Sequence, residues 1–589
     1  MKEPRVVRTF EEAREAYAGE ERLALDLETS GFSAWNDRIH VIALYGAASD
    51  TIAILHYPKG VPVPQAHMDW LSEFPEIVWH NGTQFDGLFL ANAGFDWRKP
   101  KLYDTLIGEQ ATLEVARKDI RVNLADSVKR RLGKVVDKSI DHGRWGNAIL
   151  DENQLAYVTG DIRYILELRR KQLERTATRG TLGCVEFEME LSKPTLEMVL
   201  HGLPVDLEAL QTYFEGREAR FLENDAYLHS VLGEETLLSS FPQLRAKLAE
   251  LYGPRAFPDT KAERLMRAAQ GSGEQARVAQ ALLDWRHYRQ RQNMFGEEWQ
   301  RKYVVASPTG HRVHGKFWQL GTNTGRYASS EPNLQQVPSD MKACYGGHEG
   351  LVIGKSDFSG LEIRVAASIA EDAALVEAFN NGEDIHRLVA SAGFGKPIDE
   401  ITSEERKIAK AMSFTWLFGG SVQTFMDYAS ANGSHVDWET ANRAYVNFFR
   451  RFEGLSDFRN QAHLICNTKR AFVLRYPTGL KRLLEGRELI PTILLNNYVQ
   501  GYAAAGMKYA ILEAHRRGIS PYLCATVHDE LVYAAPQEQI VDLTREIQEC
   551  MVLGMKEALR DGSNISIAVE STWGPTWVGL PENVTHYEE

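Results

Sequence analysis

Cysteine is scarce in this sequence, and its placement does not indicate a cross-linked fold. The 589 residues include five cysteines and no C-x-x-C pair; they are Cys184, Cys344, Cys466, Cys524 and Cys550. An odd number at wide spacing argues against a disulfide framework and against a structural zinc site.

Long apolar segments are also missing. No run is long enough to cross a bilayer, and the charged start Met1–Arg5 is not followed by an apolar signal region. Internal repeats and low-complexity tracts are absent as well. We therefore predict a protein of the cytoplasm, either bacterial or that of an infected host cell, with no membrane partner.

The composition that remains is that of a globular chain with several domains. Hydrophobic residues make up 44% and charged residues 25%, and 589 residues exceed what one core normally holds, so two to four domains are expected. The net charge of −13 would argue against a nucleic-acid partner. Binding depends on local patches such as Lys129–Arg131 and Arg450–Arg451, however, so composition leaves the partner undecided.

The pattern of apolar residues changes twice along the chain. Residues 1 to about 175 alternate between strand-like and helical segments, which predicts an α/β domain. From about 185 to 305 helices dominate, among them a long helix predicted over Leu282–Tyr303, and beyond 306 strands and helices mix. The small, polar segment Thr176–Gly183 is the best boundary between two parts.

Two acidic residues in a predicted strand form the first candidate site. Leu23–Glu28 alternates strictly, so Asp26 and Glu28 leave the strand on the same face, opposite the leucines. Two neighbouring carboxylates repel each other unless a cation lies between them. A solvated strand face is the alternative interpretation, because a lone D-x-E pattern also occurs by chance.

Two further segments favour the metal interpretation. Asp86 begins a helix after a short apolar strand, and Tyr157 and Asp161 lie four residues apart on one helix face. With Asp26 and Glu28, in this order and spacing, they resemble the three motifs of DnaQ-like 3′→5′ exonucleases. The resemblance implies that the four acidic residues bind two Mg²⁺ ions and that Tyr157 orients the attacking water, so we expect an active proofreading exonuclease.

The C-terminal half contains a second group of acidic residues. Asp357 stands at the end of an apolar strand that begins at Leu351, just before a helix. Asp529 and Glu530 lie at the tip of a predicted hairpin. These positions are far apart in the sequence, so only the fold can bring them together.

A helix with two basic residues near its start completes this half. Thr402–Glu405 forms a capping box, and a ridge at steps of four follows with Arg406, Lys410, Phe414 and Phe418. Two like charges near the positive end of the helix dipole are unfavourable, which indicates that they hold an anion such as a triphosphate. For this helix taken alone, a solvated basic face above a core aromatic stripe is the alternative.

These segments, together with the segment TGRYASSEPNLQQVP that starts at Thr324, resemble the motifs of family A DNA polymerases in order and approximate spacing. The resemblance implies an α/β exonuclease domain with a mixed sheet and flanking helices at 1–178. An α+β right-hand polymerase domain would follow at 179–589. Its thumb is expected at about 185–320, its palm at about 321–375 and 495–589, and its fingers at about 376–494.

The resemblance also implies a role for each candidate site residue. Asp357 and Asp529 would bind two Mg²⁺ ions beside Glu530, with Mn²⁺ as an alternative metal. Glu362 would act as the steric gate against ribose, within a set of expected nucleotide contacts that comprises Arg406, Lys410, Phe414, Phe418, Glu362 and His386. DNA contacts are expected from Arg326, Asn496, Gln500 and His528.

Several positions depart from the family pattern. Where Gln, Asn, Gly and Arg are usual, this sequence has Gly360, Ser413, Thr415 and Thr492. Phe418 replaces a Tyr whose hydroxyl usually bonds the gate glutamate, which puts the exclusion of ribonucleotides in doubt. Phe414 instead of Tyr predicts discrimination against dideoxynucleotides.

The expected partners are primer–template DNA, deoxynucleoside triphosphates and replication accessory proteins, and the chain is expected to be a monomer. No 5′-nuclease domain is expected ahead of the exonuclease motifs, and this two-domain form resembles that of phage replicative enzymes. The helical segment between 185 and 305 is too short for the insertion that recruits a thioredoxin processivity factor, so that partner is not predicted.

The sequence leaves three alternatives open. A single-subunit RNA polymerase shares related acidic motifs, but the exonuclease motifs and Glu362 argue against it. A non-catalytic nucleic-acid-binding protein is opposed by the intact Asp357 and Asp529. An exonuclease whose C-terminal half only grips DNA would fail to lengthen a primer, as would the non-catalytic protein.

Overall fold

A computed structural model of the protein describes residues 4–113, 120–136, 144–431, 434–559 and 565–589. The strands of the N-terminal region are β1 (Arg5–Val7), β2 (Arg22–Thr29), β3 (Ile39–Gly46), β4 (Thr51–His56), β5 (Glu76–Trp79) and β6 (Lys101–Asp104). Its helices are α1 (Phe10–Ala16), α2 (Gln65–Ser72), α3 (Asp86–Asn92), α4 (Thr105–Thr112), α5 (Leu124–Leu132), α6 (Glu152–Ile162) and α7 (Ile165–Arg179).

The six strands form one mixed sheet in the order β1-β4-β3-β2-β5-β6. Strand β2 lies inside the sheet, antiparallel to β3 and parallel to β5. The predicted apolar face of Leu23, Leu25 and Leu27 is buried. The opposite face, which the alternative interpretation would place in solvent, is covered as well. Helix α6 packs over it, which buries Glu28 and half-buries Asp26.

A helical region follows, beginning with α8 (Leu182–His201) and the short strand β7 (Leu203–Val205). Its other helices are α9 (Leu207–Leu232), α10 (Phe241–Tyr252), α11 (Ala262–Ala269), α12 (Glu274–Phe295) and α13 (Glu297–Tyr303). Strands β8 (Val304–Ser307) and β9 (Gly310–Val313) join β7 in a small sheet. Leucines and aromatics of α9 to α12 form a hydrophobic core of their own.

The prediction of a single helix over Leu282–Tyr303 is wrong, because the helix is interrupted at Gly296. Its backbone is extended, with φ −71° and ψ −175°, and it serves as the N-cap of α13. Its N–H still donates to the Gln292 carbonyl at 2.8 Å, which closes the end of α12. A Cβ atom at Gly296 would meet that carbonyl oxygen at 2.4 Å, so the bend requires glycine.

Two short strands, β10 (Lys316–Trp318) and β11 (Ala328–Ser330), pair before the main C-terminal sheet. That sheet is antiparallel and has the order β15-β16-β12-β17-β18. Its strands are β12 (Leu351–Phe358), β15 (Leu523–Val527), β16 (Glu530–Pro536), β17 (Ala568–Gly574) and β18 (Thr585–Glu588). Helix α14 (Leu361–Ile369) follows β12, and the long helices α21 (Pro491–Arg516) and α22 (Ile540–Ala558) pack together beside the sheet.

Between α14 and α21 the chain is mainly helical. The helices are α15 (Ala373–Asn380), α16 (Ile385–Phe394), α17 (Ser403–Leu417), α18 (Val422–Ala431), α19 (Trp438–Arg451) and α20 (Glu453–Thr468), and β13 (Ala471–Arg475) pairs with β14 (Lys481–Glu485). The predicted capping box of α17 is present, with Thr402 bonded to Glu405 in both directions. The predicted ridge of four side chains keeps only three within the helix, because α17 ends at Leu417 and Phe418 is its C-cap.

Helix α8 packs against both halves of the molecule. It contacts α4 and β6 on one side and β15 and α21 on the other. Glu188 on α8 is buried and forms an ion pair with Lys508 on α21. Across the described ranges, no helix combines the length and apolar character that crossing a membrane demands.

Candidate active sites

The antiparallel register of β12 and β16 brings the C-terminal acids together. Asp357 lies directly opposite Glu530, and the N–H of Phe358 donates to the carbonyl of Asp529 at 3.3 Å. The tight turn between β15 and β16 places His528 in the left-handed region, with φ 58°. The predicted meeting of residues from two distant segments is therefore present.

The electrostatics of this cluster follow from partial burial and from the crowding of like charges. The Asp357 side chain is exposed at the end of β12, although neighbouring protein atoms partly surround its carboxyl. Partial burial, together with the negative charges of Asp529 and Glu530, raises the pKa of the Asp357 carboxyl to about 7. A cation at this position would relieve the repulsion and favour the ionised form.

Glu530 has partners that the sequence did not indicate. The indole N–H of Trp577 donates to Glu530 Oε1 at 2.9 Å. The Lys342 ammonium lies 3.4 Å from the same oxygen and 4.4 Å from the centre of the Trp577 ring. These residues hold Glu530 against the sheet, and no local sequence pattern marks them.

The ligand chemistry of the cluster suits a hard divalent cation. Asp357, Asp529 and Glu530 offer only carboxylate oxygens, which Mg²⁺ prefers. In the described part of the chain, no three acidic, histidine or cysteine side chains converge as a ready-made metal cage. Mg²⁺ is usually bound by one or two carboxylates together with waters and substrate phosphates, so an incomplete protein cage fits this ion.

The basic face of α17 is exposed, as a surface for an anion must be. Arg406 and Lys410 are exposed, and Phe414 below them is 36% exposed. Arg406 Nε donates to Asp384 Oδ2 at 2.7 Å, so one of the two cations already has a carboxylate partner. Burial and then the charge of Arg406 lower the pKa of His386, and the charge of Lys410 acts in the same direction.

Glu362, the predicted gate residue, is bonded to an arginine. Arg326 Nη2 donates to Glu362 Oε1 at 3.3 Å, and both side chains are half-buried. Asn496 and Gln500 lie four residues apart on α21, so they share a face of that helix, and both are half-buried. His528 is exposed at the hairpin tip.

The N-terminal acids gather around β2. Asp86 Oδ1 accepts a hydrogen bond from the N–H of Leu27 at 3.0 Å, which places it beside the strand between Asp26 and Glu28. Burial and then the charge of Asp26 raise the pKa of Asp86 well above its usual value. Tyr157 and Asp161 are buried on α6, which packs over β2 and begins with a capping box at Asp151.

An exposed aromatic residue beside these acids was missed by sequence reasoning. Phe32 is 82% exposed, and its ring lies 6.4 Å from the ring of Phe85, the residue before Asp86. Phe32 is among the most exposed large apolar side chains of the described residues. Its position six residues after Asp26 carries no signal of its own, because a single Phe in a loop matches no pattern.

Comparison with protein families identifies the family to which the chain belongs. The family model for DNA polymerase family A matches residues 207–579, which is more than half of the chain. The chain belongs to DNA polymerase family A. A model for 3′–5′ exonucleases matches residues 6–176 of this family A polymerase, the part with the mixed sheet.

Relatives of this family A polymerase extend the match. DNA polymerase I of Aquifex aeolicus (strain VF5) is 26% identical over 582 residues, covering 94% of this chain and 95% of that protein. DNA polymerase I of Bacillus subtilis (strain 168) is 28% identical over 447 residues, covering 70% of this chain and 48% of that protein. The chain thus spans nearly all of the first relative and about half of the second.

A solved structure shares the fold of this family A polymerase. It is the POL domain of Pol1 from M. smegmatis, in complex with DNA primer-template and dNTP. It aligns with a TM-score of 0.77 at 23% identity and covers 97% of this chain and 99% of that one.

Family membership, the two kinds of domain and the fold class predicted from the motifs are confirmed. The chain is a DNA-directed DNA polymerase with a 3′–5′ exonuclease domain, and the RNA polymerase alternative is excluded. Both kinds of domain generally use divalent metal ions. The domain limits, the roles of single residues and the phage type stay predictions.

Proposed function

We propose that this family A polymerase extends a primer 3′ end on a DNA template at the cluster of Asp357, Asp529 and Glu530. The observation that supports it most is the register of β12 and β16, which puts carboxylates from two distant segments side by side. Asp357 and Asp529 would hold two Mg²⁺ ions, with Mn²⁺ as an alternative. When bound, such ions lower the barrier to an in-line displacement by stabilising the attacking and leaving oxygens.

The protein's own groups would position the nucleotide. Arg406, Lys410 and His386 face the triphosphate and draw the pyrophosphate away, while Phe414 offers a ring face and lies near the sugar. Glu362, to which Arg326 donates a hydrogen bond, would exclude a ribose 2′-hydroxyl. Phe418 completes this group of nucleotide contacts.

DNA contacts are proposed to be of the kind that reads shape rather than sequence. Arg326, Asn496, Gln500 and His528 supply donors near the new base pair, and minor-groove acceptors are similar for all pairs. The polymerase would act as a monomer in the cytoplasm, bacterial or host, with replication accessory proteins as further partners.

Proofreading is proposed at the second cluster. Asp26, Glu28, Asp86 and Asp161 would bind two divalent ions, and Tyr157 would orient the attacking water. Phe32 and Phe85 stand beside these acids, and exposed aromatics are the surfaces on which unpaired bases stack. A frayed primer end would therefore be held by its terminal base while its last phosphodiester is cleaved.

Primer extension and 3′ trimming, each measured with Mg²⁺, test this division. Asp357→Asn is expected to lower extension roughly 1,000-fold and to spare trimming, since losing a metal ligand removes several kcal/mol of transition-state stabilisation. Asp26→Ala combined with Glu28→Ala should do the reverse. Asp542→Asn, an exposed acid at the start of α22, is the matched control and should change neither activity.

Loss of both activities from one set of substitutions in a folded protein would contradict the assignment. A polymerase that trims but never lengthens a primer would instead support the alternative in which the C-terminal half only grips DNA.

A further inference from the structure

The loop between β5 and α3 leads into Asp86, the first residue of α3, and is fixed on one side by its own domain. The N–H groups of Asn81 and Thr83 donate to the two oxygens of Asp104 at 2.8 and 3.1 Å. Asp104 is buried at the end of β6. Asp86 in turn accepts from the N–H of Leu27, so the position of this loop sets where Asp86 stands relative to β2.

The polymerase part of the chain fixes the other side. Gln84 Nε2 donates to the Phe317 carbonyl at 2.8 Å, and the N–H of Phe317 donates to Gln84 Oε1 at 3.1 Å. Gln84 is 4% exposed and Phe317 is fully buried. A side-chain amide that exchanges both bonds with one residue imitates a neighbouring β-strand. Gln84 thus completes the edge of β10 that β11 leaves free.

A second contact joins the same two regions. Trp35, in the loop after β2, stacks on His314 with ring centroids 4.0 Å apart. His314 is buried and is bonded through Nδ1 to the Val199 carbonyl of α8 at 2.8 Å. The segment around β10 therefore touches the loops that follow β2 and precede α3, the two elements that carry Asp26, Glu28 and Asp86.

We propose that Gln84 is a positioning residue for the exonuclease, and that through it the trimming activity depends on strand β10 of the polymerase domain. This inference rests on the proposed role of Asp86. Gln84 lies two residues before Asp86, is buried and has both ends of its amide bonded to Phe317, so it acts through the loop and not on the substrate. Strand β10 pairs with β11, which follows Arg326, the partner of Glu362. Strand β10, which is bonded to the loop before Asp86, therefore pairs with the strand that follows the arginine bonded to Glu362.

Gln84→Met tests the proposal, because it keeps the side-chain length and removes both hydrogen bonds. The kcat of trimming on a single-stranded oligonucleotide is expected to fall about tenfold or more, since small misplacements of catalytic groups have effects of this size, while its KM changes less than about twofold. The rate of dNTP incorporation should stay unchanged. Amide hydrogen exchange over residues 80–86 should become faster, and that over β12 should not.

Three comparisons make the outcome decisive. Gln65→Met, an exposed glutamine within the exonuclease domain, is the matched control and should behave as the unsubstituted enzyme. Gln84→Glu keeps the acceptor for the Phe317 N–H but sets a carboxylate oxygen against the Phe317 carbonyl, so its trimming rate should fall as well. Asp86→Asn reports on the proposed function itself.

If Asp86→Asn abolishes trimming but Gln84→Met leaves its kcat and the exchange of residues 80–86 unchanged, the positioning role is refuted and the proofreading site stands. If Asp86→Asn still trims, the proposed site is wrong. A parallel fall of extension and trimming in Gln84→Met, with faster exchange throughout, would show ordinary destabilisation and also overturn the proposal.

Discussion

At the scale of single residues, Glu362, the predicted gate residue, is bonded to an arginine and not to the tyrosine hydroxyl that is usual in the family. The usual tyrosine hydroxyl is lost at Phe418, and Arg326 contacts Glu362 instead at 3.3 Å. An arginine is a long side chain that here also faces DNA in the proposed function. Its hold on Glu362 is therefore expected to change when substrates bind.

Glu362→Ala should raise the kcat/KM for ribonucleotides relative to deoxynucleotides by about tenfold or more, because the pocket then has room for a 2′-hydroxyl. Single-nucleotide incorporation with both kinds of substrate measures the ratio. Phe418→Tyr should lower it, since the added hydroxyl offers Glu362 a second hydrogen bond. Glu377→Ala, an exposed acid on α15, is the control, and an unchanged ratio in Glu362→Ala would refute the gate.

At the scale of elements, α17 depends on its cap to present the basic face. Thr402 accepts from the N–H of Glu405 at 3.2 Å, and Glu405 accepts from the N–H of Thr402 at 3.0 Å. Arg406 follows directly in the first turns of the helix. Fraying of this end would disperse the charges that the proposed function assigns to the triphosphate.

Thr402→Ala is expected to destabilise the start of α17 by about 1 kcal/mol, as the loss of an N-cap does. Hydrogen exchange of residues 403–407 should become faster, and the KM for dNTPs should rise severalfold with a smaller change in kcat. Ser403→Ala, one residue inside the helix, is the control. Equal exchange in both variants would show that the cap does not hold this end.

Two buried histidines near α8 make stability depend on pH. Burial lowers the pKa of His201 and of His314 to about 4, against about 6.5 in an unfolded chain. Between these values the unfolded state binds more protons, so stability falls as pH decreases through this window, by roughly 3 kcal/mol per histidine at most. Urea unfolding at pH 7.5 and at pH 5 should show this loss, and His314→Gln should reduce it. A loss of the same size in that variant would assign the effect to other groups.

At the scale of the whole molecule, α8 connects the exonuclease domain to the main C-terminal sheet and α21. Its buried Glu188 pairs with Lys508 and also accepts from Gln319 Nε2 at 3.1 Å. Burial raises the pKa of Glu188, whereas Lys508 opposes that change. Loss of either partner would destabilise the protein, because the other charge would stay buried without a counter-ion.

Lys508→Met should destabilise the protein by about 3–5 kcal/mol, the usual effect of leaving one buried charge uncompensated. Adding Glu188→Leu should recover most of that loss, since a pair of apolar side chains needs no solvation. Thermal unfolding measures both. Lys556→Met, which breaks an exposed pair with Glu589, should change stability by less than about 1 kcal/mol. A double variant no more stable than Lys508→Met would contradict this account.

The sequence by itself determined the elements that carry the sites and the order of the motifs. Alternation predicted β2 and the shared face of Asp26 and Glu28, and a capping box predicted the start of α17. The apolar strand before Asp357 was equally clear. These features depend on backbone geometry and on bonds between residues a few positions apart, so a local pattern is enough to reveal them.

Only the tertiary structure decided which side chains hold the site residues in place. Trp577 on Glu530, Arg326 on Glu362 and Gln84 on Phe317 each join segments that are distant in the chain. Such contacts are set by strand register and by the packing of whole elements, and a lone Trp or Gln gives no periodic signal. The bend at Gly296 belongs here too, because helical periodicity continues across it while the backbone does not.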